Sequence, residues 1–193
     1  MGSIQDIENY AEIHDVPIMM KDGIAFLIDY IKNNEVYTIL ELGTAIGYSA
    51  IRMAEVKDNI VIDTLEIDEE RIQEALKNIE NHHLSNRITV HHSDAMAFET
   101  DTMYDLIFID AAKAQYGKYM RHFEKNLKTG GTFVFDNLNF HGMVDNPELT
   151  KNRNTKHLVR KIKVFRDELL VNENYATIFY SNIGDGVAIA VKK

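Results

Sequence analysis

Ile39-Leu40-Glu41-Leu42-Gly43-Thr44-Ala45-Ile46-Gly47-Tyr48-Ser49 is the stretch that decides the fold. An apolar run from Val36 to Leu42, broken only by Thr38 and Glu41, meets two glycines and then an amphipathic segment. That order is a buried strand, a tight turn and a helix start, the place where open α/β sheets bind ligands. The glycines are spaced G-x-x-x-G, which is not the G-x-G-x-x-G of the dinucleotide fingerprint, so the ligand need not carry a pyrophosphate. An acidic residue, Glu41, ahead of the first glycine is awkward beside a phosphate and suits a ligand with a cationic amine and hydroxyls.

Outward from this turn the pattern alternates. The sequence predicts strand 36–41, helix 47–56, strand 60–66, helix 69–80, strands 88–92 and 105–109, helix 115–126 and strand 132–135. Short apolar runs separated by helices imply a parallel sheet with helices on both faces. Two helices precede it, at 4–13 and about 22–31, parted by His14-Asp15-Val16-Pro17, where the proline stops the first. At the other end helix 155–170 leads to Tyr175–Tyr180 and Val187–Val191, joined by Asn182-Ile183-Gly184-Asp185-Gly186. Two such strands around a Gly-rich turn form an antiparallel hairpin on the sheet edge. No linker, repeat or low-complexity tract intervenes, so residues 1–193 are expected to form one α/β domain, with 1–33 covering the ligand site.

A chain of 193 residues suits such a domain. The absence of cysteine excludes disulfides, thiolate metal sites and a cysteine nucleophile. No apolar run approaches the roughly 20 residues of a spanning helix, so no membrane partner and a cytoplasmic location are expected. Neither a G-x-S-x-G elbow nor an H-x-x-x-H pair is present. The net charge of −9 argues mildly against a broad nucleic-acid surface, yet residues 151–166 carry seven of the 21 Lys and Arg and no acid.

Acidic residues fall at the ends of the strands. Glu66 closes the second strand 19 residues after Gly47, placed to accept hydrogen bonds from both hydroxyls of a ribose, whereas Asp68 is the better helix cap. Ser93-Asp94-Ala95 follows the third strand, where Asp94 could bond a purine's exocyclic amine. Phe108-Ile109-Asp110-Ala111-Ala112-Lys113 ends the fourth strand, and Phe133-Val134-Phe135-Asp136-Asn137 the fifth. Neighbouring strand ends converge, so Asp110, Asp136 and Asn137 could offer three hard oxygen ligands to one Mg²⁺. In helix 155–170 Leu158, Ile162, Phe165 and Leu169 form an apolar stripe. Lys156, Arg160 and Lys163 lie opposite, with Arg153 just before the helix. Like charges at that spacing repel, and a phosphate-bearing partner such as RNA relieves the repulsion. Lys118, Arg121, Lys125 and Lys128 extend the patch from another helix.

E-L-G-T-A-I-G-Y-S, the acid after the second strand, F-I-D-A-A-K and D-N resemble the cation-dependent class I O-methyltransferases that use S-adenosylmethionine, the group of catechol and caffeoyl-CoA methyltransferases. The resemblance covers nearly the whole chain and implies a Rossmann-like methyltransferase fold with a seven-stranded, mostly parallel sheet. Within the group, His14-Asp15-Val16-Pro17-Ile18-Met19, the G-T-A-I-G-Y-S-A-I-R-M-A run and Gly184-Asp185-Gly186 are most similar to bacterial tRNA 5-hydroxyuridine methyltransferases. It implies a cofactor pocket lined by Met19, Gly43, Ser49, Glu66, Asp94 and Ala95, with Glu41 and Gly47 from the glycine turn. Asp110 would stand between cofactor and metal, Asp136 and Asn137 would complete the ligands of Mg²⁺ or Mn²⁺, and Lys113 would sit near the reacting hydroxyl. The implied reaction is methylation of wobble-position 5-hydroxyuridine in the tRNA anticodon, by a homodimer. A catechol- or phenol-type small molecule is the alternative acceptor.

Overall fold

In the computed structural model, which describes residues 2–193, the apolar runs pair into one seven-stranded sheet. Its parallel strands are β1 (Thr38–Leu42), β2 (Val61–Glu66), β3 (Ile88–His92), β4 (Tyr104–Ile109) and β5 (Leu127–Phe135). β7 (Val187–Lys192) runs antiparallel to both of its neighbours, β5 and β6 (Tyr175–Tyr180). The order is β3-β2-β1-β4-β5-β7-β6, the Rossmann-like methyltransferase arrangement with its hairpin at one edge.

Alternation along the strands divides the core into two layers. Ile39, Leu106, Phe108 and Val134 point to one face, against α1 (Ile4–Ile13), α2 (Lys21–Asn33), α3 (Tyr48–Ala54) and α4 (Glu69–Asn81). Leu40, Leu42, Ile107, Ile109, Phe133 and Phe135 point to the other, against α5 (Tyr116–Phe123) and α6 (Arg153–Leu170). Three of these helices, α1, α4 and α6, start where the sequence supplies an acceptor for free amides. Ser3 and Asp6 form a capping box on α1, and Asp68 accepts from the amides of Glu70 and Arg71 at the start of α4.

Several boundaries shift by one to five residues from the sequence reading, and three of them have a local cause. β5 begins at Leu127, five residues early, because the strand runs through an irregularity against β4 at Lys128-Thr129-Gly130-Gly131, where Gly130 takes a φ of 77°. Glycines are poor strand formers, so nothing in that segment reads as β. The expected helix 115–126 is one α-helical segment, α5, with a 3-10 turn on either side. α6 begins at Arg153, because Asn152 caps it through the amides of Asn154 and Thr155. Among the described residues, no helix is long and apolar enough to cross a membrane.

Candidate active site

Leu65, Leu42, Ile109 and Phe135 pair across β2, β1, β4 and β5 as a single row. The next residue along each strand is Glu66, Gly43, Asp110 and Asp136. All four line a cavity of about 590 Å³ at the carboxyl end of the sheet. Its other walls come from Pro17, Ile18 and Met20 before α2, Asp68 and Arg71 at the start of α4, Ser93-Asp94-Ala95 after β3, and Lys113, His141 and Asp185. Six carboxylates against one arginine and one lysine make the wall a field for cationic ligands.

One end of the cavity is built for a nucleoside. The Glu66 carboxylate is 8% exposed and accepts hydrogen bonds from the amides of Ala45 (2.9 Å), Ile67 (2.9 Å) and Asp68 (3.1 Å). Those amides fix both of its oxygens, and a carboxylate has lone pairs to spare for sugar hydroxyls. Asp94 is anchored by the Met96 amide at 2.7 Å, and Ala95 lies beside it on the cavity wall.

Four residues expected on the cofactor lie behind this wall. Glu41 is fully buried because alternation along β1 turns it with Ile39 toward the helical layer of α1–α4. There it accepts hydrogen bonds from Ser49 and Thr64, which accounts for Ser49 as well. Burial pushes the Glu41 carboxyl up to about 7 against the opposing pull of those two hydroxyls, and the charges of Asp110 and Glu66 add to the rise. Gly47 caps α3 with φ 84° and packs against Ala75 of α4. Met19 is 5% exposed and folds its side chain onto Gly23, so its neighbour Met20 lines the cavity instead.

Carboxylates crowd the opposite end. Asp136 is 2% exposed; burial first, then the charge of Asp110, pushes its carboxyl up to about 7, with the Asn137 amide at 2.7 Å working the other way. Asp110 is raised by burial too, offset by the Lys113 ammonium 3.3 Å from its Oδ1. Tyr116 donates its hydroxyl to the Asp136 carbonyl at 2.8 Å, and Asn137, also on the cavity wall, takes a left-handed φ of 58°. Two buried acids, both raised chiefly by burial, with an amide beside them, fit a divalent cation, whose charge lets both ionise. Among the described residues no group of three His, Cys, Asp or Glu is placed to hold a metal ion, so a centre on Asp110 and Asp136 would need a ligand of another kind, and Asn137 is the adjacent candidate.

The sequence reading missed Asp185 as a wall residue. It is 8% exposed; Oδ1 accepts from the His141 amide at 2.7 Å, and Oδ2 has no hydrogen-bond partner. The only signal was Gly184-Asp185-Gly186, which reads as a hairpin turn. Arg153, Lys156, Arg160 and Lys163 lie on the exposed side of α6, away from this cavity. Lys163 pairs with Asp167 at 3.4 Å. Arg166, counted with the basic run, is 6% exposed, pairs with Asp145 and lies 5.1 Å over the Phe179 ring.

Comparison with known proteins matches this arrangement to a family. Residues 5–193 match the family model described as O-methyltransferase. The catechol O-methyltransferase of Niastella koreensis is 31% identical over 166 residues, covering 80% of this chain and 73% of that protein. The caffeoyl-CoA O-methyltransferase of Stellaria longipes is 25% identical, covering 95% of this chain and 80% of its own. A crystal structure from Staphylococcus aureus, provisionally named a caffeoyl-CoA O-methyltransferase, superposes with a TM-score of 0.94 at 35% identity, covering 100% of this chain and 93% of the other. The chain belongs to this O-methyltransferase family, as an S-adenosylmethionine-dependent enzyme.

Proposed function

We propose that the protein methylates a hydroxyl flanked by a second oxygen in a Mg²⁺-dependent reaction, and that its acceptor is 5-hydroxyuridine at the tRNA wobble position, giving 5-methoxyuridine. The observation that carries the chemistry is the juxtaposition of Asp110 and Asp136, each one residue past a paired rung of the sheet, with Asn137 and Lys113 beside them. Asp110, Asp136 and Asn137 would hold the cation. When bound, it would lower the pKa of an acceptor hydroxyl that is a poor nucleophile when neutral. Glu66 and Asp94 would hold the nucleoside end of the methyl donor, with Asp110 at the opposite end of the cavity. Lys113 supplies a positive charge next to the forming oxyanion, or takes its proton. The cavity walls supply the positioning, which can lower a barrier by about 7–11 kcal/mol in favourable cases. A bidentate acceptor follows from this set, because two adjacent oxygens share one cation. In 5-hydroxyuridine these are the hydroxyl and the ring carbonyl.

The tRNA acceptor is supported by the likeness of His14–Met19 and of the glycine turn to tRNA-modifying members, and by a run of cations on a chain of net charge −9. A small catechol or phenol is the second reading, favoured by the catechol and caffeoyl-CoA enzymes among its relatives. Mass spectrometry after incubating the enzyme with S-adenosylmethionine and either hydroxylated tRNA or catechol separates the two. Methylated nucleoside selects the first, and methylated catechol alone selects the second. Asp136→Ala should abolish turnover and leave S-adenosylhomocysteine binding nearly intact. Full activity in chelator overturns the metal role.

A further inference from the structure

A second cavity, about 400 Å³, runs between α5 and α6 and shares Lys113 with the methyl-transfer cavity. Lys118 and Arg121 face it from α5, and His157, Arg160 and Lys161 from α6, against one acid, Glu168. The α6 residues fall at helical intervals of three and four, so they form one stripe. Among the described residues, Lys118, Arg121, Arg160 and Lys161 form no ion pair, whereas four nearby cations off the groove do. Lys125 binds Glu99, Lys128 binds Asp105, Lys163 binds Asp167 and Arg166 binds Asp145. Four of the described cations thus both lack an ionic partner and converge on this groove, whereas the unpaired Lys151, Arg153 and Lys156 lie off it. Of the groove cations, Arg160 belongs to the set expected from the sequence on α6, and Lys118 and Arg121 to its expected extension.

The floor differs from the walls. Phe165 closes the floor, 8% exposed, with Gly117 against it (a Cβ there would lie 3.5 Å from the ring), and Val164 beside it is 49% exposed. From His157 to Glu168 the α6 wall runs about 16 Å at helical rise. Cationic walls over an apolar floor suit a single strand of nucleic acid, with phosphates on the lysines and arginines and a base or ribose on the floor. A second copy of this chain fits poorly, because a two-fold interface sets the same patch against itself and would bring two sets of uncompensated cations together.

We propose that the α5–α6 groove binds the backbone of a single-stranded RNA segment, with Lys113 marking the point where a nucleotide leaves the groove for the methyl-transfer cavity. The role given to Lys113 rests on the RNA-acceptor reading; the groove assignment does not. The test is fluorescence anisotropy of the full-length protein with a labelled single-stranded oligouridylate and, separately, with coenzyme A as competitor. The variants are K118E/R121E, R160E/K161E and their glutamine counterparts, with K156E/K163E reporting on the adjacent face. Binding of S-adenosylhomocysteine and sedimentation velocity check the fold and the oligomeric state.

The groove pairs should weaken RNA binding by about tenfold or more and flatten its salt dependence by about 0.7 in log–log slope for each phosphate no longer neutralised. K156E/K163E should stay within about twofold of the parent protein. Equal losses on both faces, or no loss in the groove variants, overturn the proposal. Coenzyme A binding without RNA binding overturns it in favour of a nucleotide thioester, and a change of oligomeric state in the groove variants overturns it in favour of a second copy. If the groove variants lose RNA while the parent protein fails to methylate hydroxylated tRNA, the groove assignment stands and the acceptor reading falls.

Discussion

A methyl group placed on Gly43 would stand 2.5 Å from the carbonyl oxygen of Asp110. The turn after β1 is thus pressed onto the exit of β4, and the Asp110 amide ties the two together by donating to the Leu42 carbonyl at 3.0 Å. Gly43 also holds a φ of 104°, a conformation that side chains other than glycine rarely adopt. Gly43→Ala therefore meets both strain and a backbone atom that cannot swing aside. We expect a loss of about 1–3 kcal/mol from the strained dihedral. Displacement of Asp110 should also cut S-adenosylhomocysteine affinity and turnover by about tenfold or more. Calorimetric titration and thermal melting read these directly. A variant that melts and binds like the parent would show that this close approach does not set the position of Asp110.

Glu41 gives the protein a pH dependence of stability that is independent of catalysis. Its folded-state carboxyl is raised from 4.5 to about 7, chiefly by burial. Between those values the folded chain keeps a proton that the unfolded chain has released. The stability from this group is therefore complete below about pH 4.5 and is lost as pH rises through 7. Glu41→Gln removes the titration and keeps a side chain that can bond Ser49 and Thr64. We expect the difference in unfolding free energy between parent and variant to shift by up to about 3 kcal/mol from pH 4.5 to pH 8. Urea denaturation in chelator at several pH values is the measurement. Parallel curves would mean that Glu41 ionises at an ordinary carboxylate pH in the folded chain.

The sheet was legible because its strands are apolar runs that break at polar residues. Glu66, Asp110 and Asp136 were legible for the same reason, since each marks the end of such a run. What escaped depends on facts that one strand does not carry. Whether Met19 or Met20 faces the ligand depends on how the chain enters α2, and the packing of Met19 onto Gly23 decides it. Glu41 was misplaced because a strand next to a glycine turn still alternates, and its odd face belongs to the core. Asp185 lies 49 residues after Asp136 in sequence, and only the antiparallel pairing of β7 with β5, Ala188 opposite Phe135, brings its turn to the cavity. The basic run could be counted but not sorted, because the packing of α6 on α5 decides which cations line the groove between them.

Asp185 should act on the acceptor side through the segment it holds. Phe140 and His141 both take positive φ values, 46° and 56°, which non-glycine residues adopt only when neighbours hold them there. The bond from the His141 amide to Asp185 Oδ1 is one such hold, and the Asn139 amide donates to the Asp185 carbonyl at 2.8 Å. Asp185→Ala removes the side-chain bond. We expect acceptor KM to rise about five- to tenfold while S-adenosylhomocysteine affinity changes by less than about twofold. Asp185→Asn keeps the acceptor for His141 and should restore KM. A parallel loss of S-adenosylhomocysteine affinity in Asp185→Ala would place the residue's effect on the donor side instead.

Arg166 should matter for stability and not for RNA. Its guanidinium is buried among apolar groups of α6 and β6, over the Phe179 ring, with Asp145 as its ionic partner. The Arg166 guanidinium beside it holds the Asp145 carboxyl below the usual carboxylate range. The Asp145 side chain is 54% exposed, so it rehydrates when the arginine is removed, and the cost of losing the pair falls mainly on packing. Arg166→Ala is expected to cost about 2 kcal/mol, through the packing of the stem and the cation–ring interaction. For a chain of this length that lowers the melting temperature by roughly 4–8 °C. Arg166→Met keeps most of the volume and should recover part of the loss. Neither variant should change oligouridylate affinity, because the guanidinium does not face the α5–α6 groove. An RNA-binding defect in Arg166→Met, with melting close to that of the parent, would put this cation back among those that touch phosphate and would redraw the groove around it.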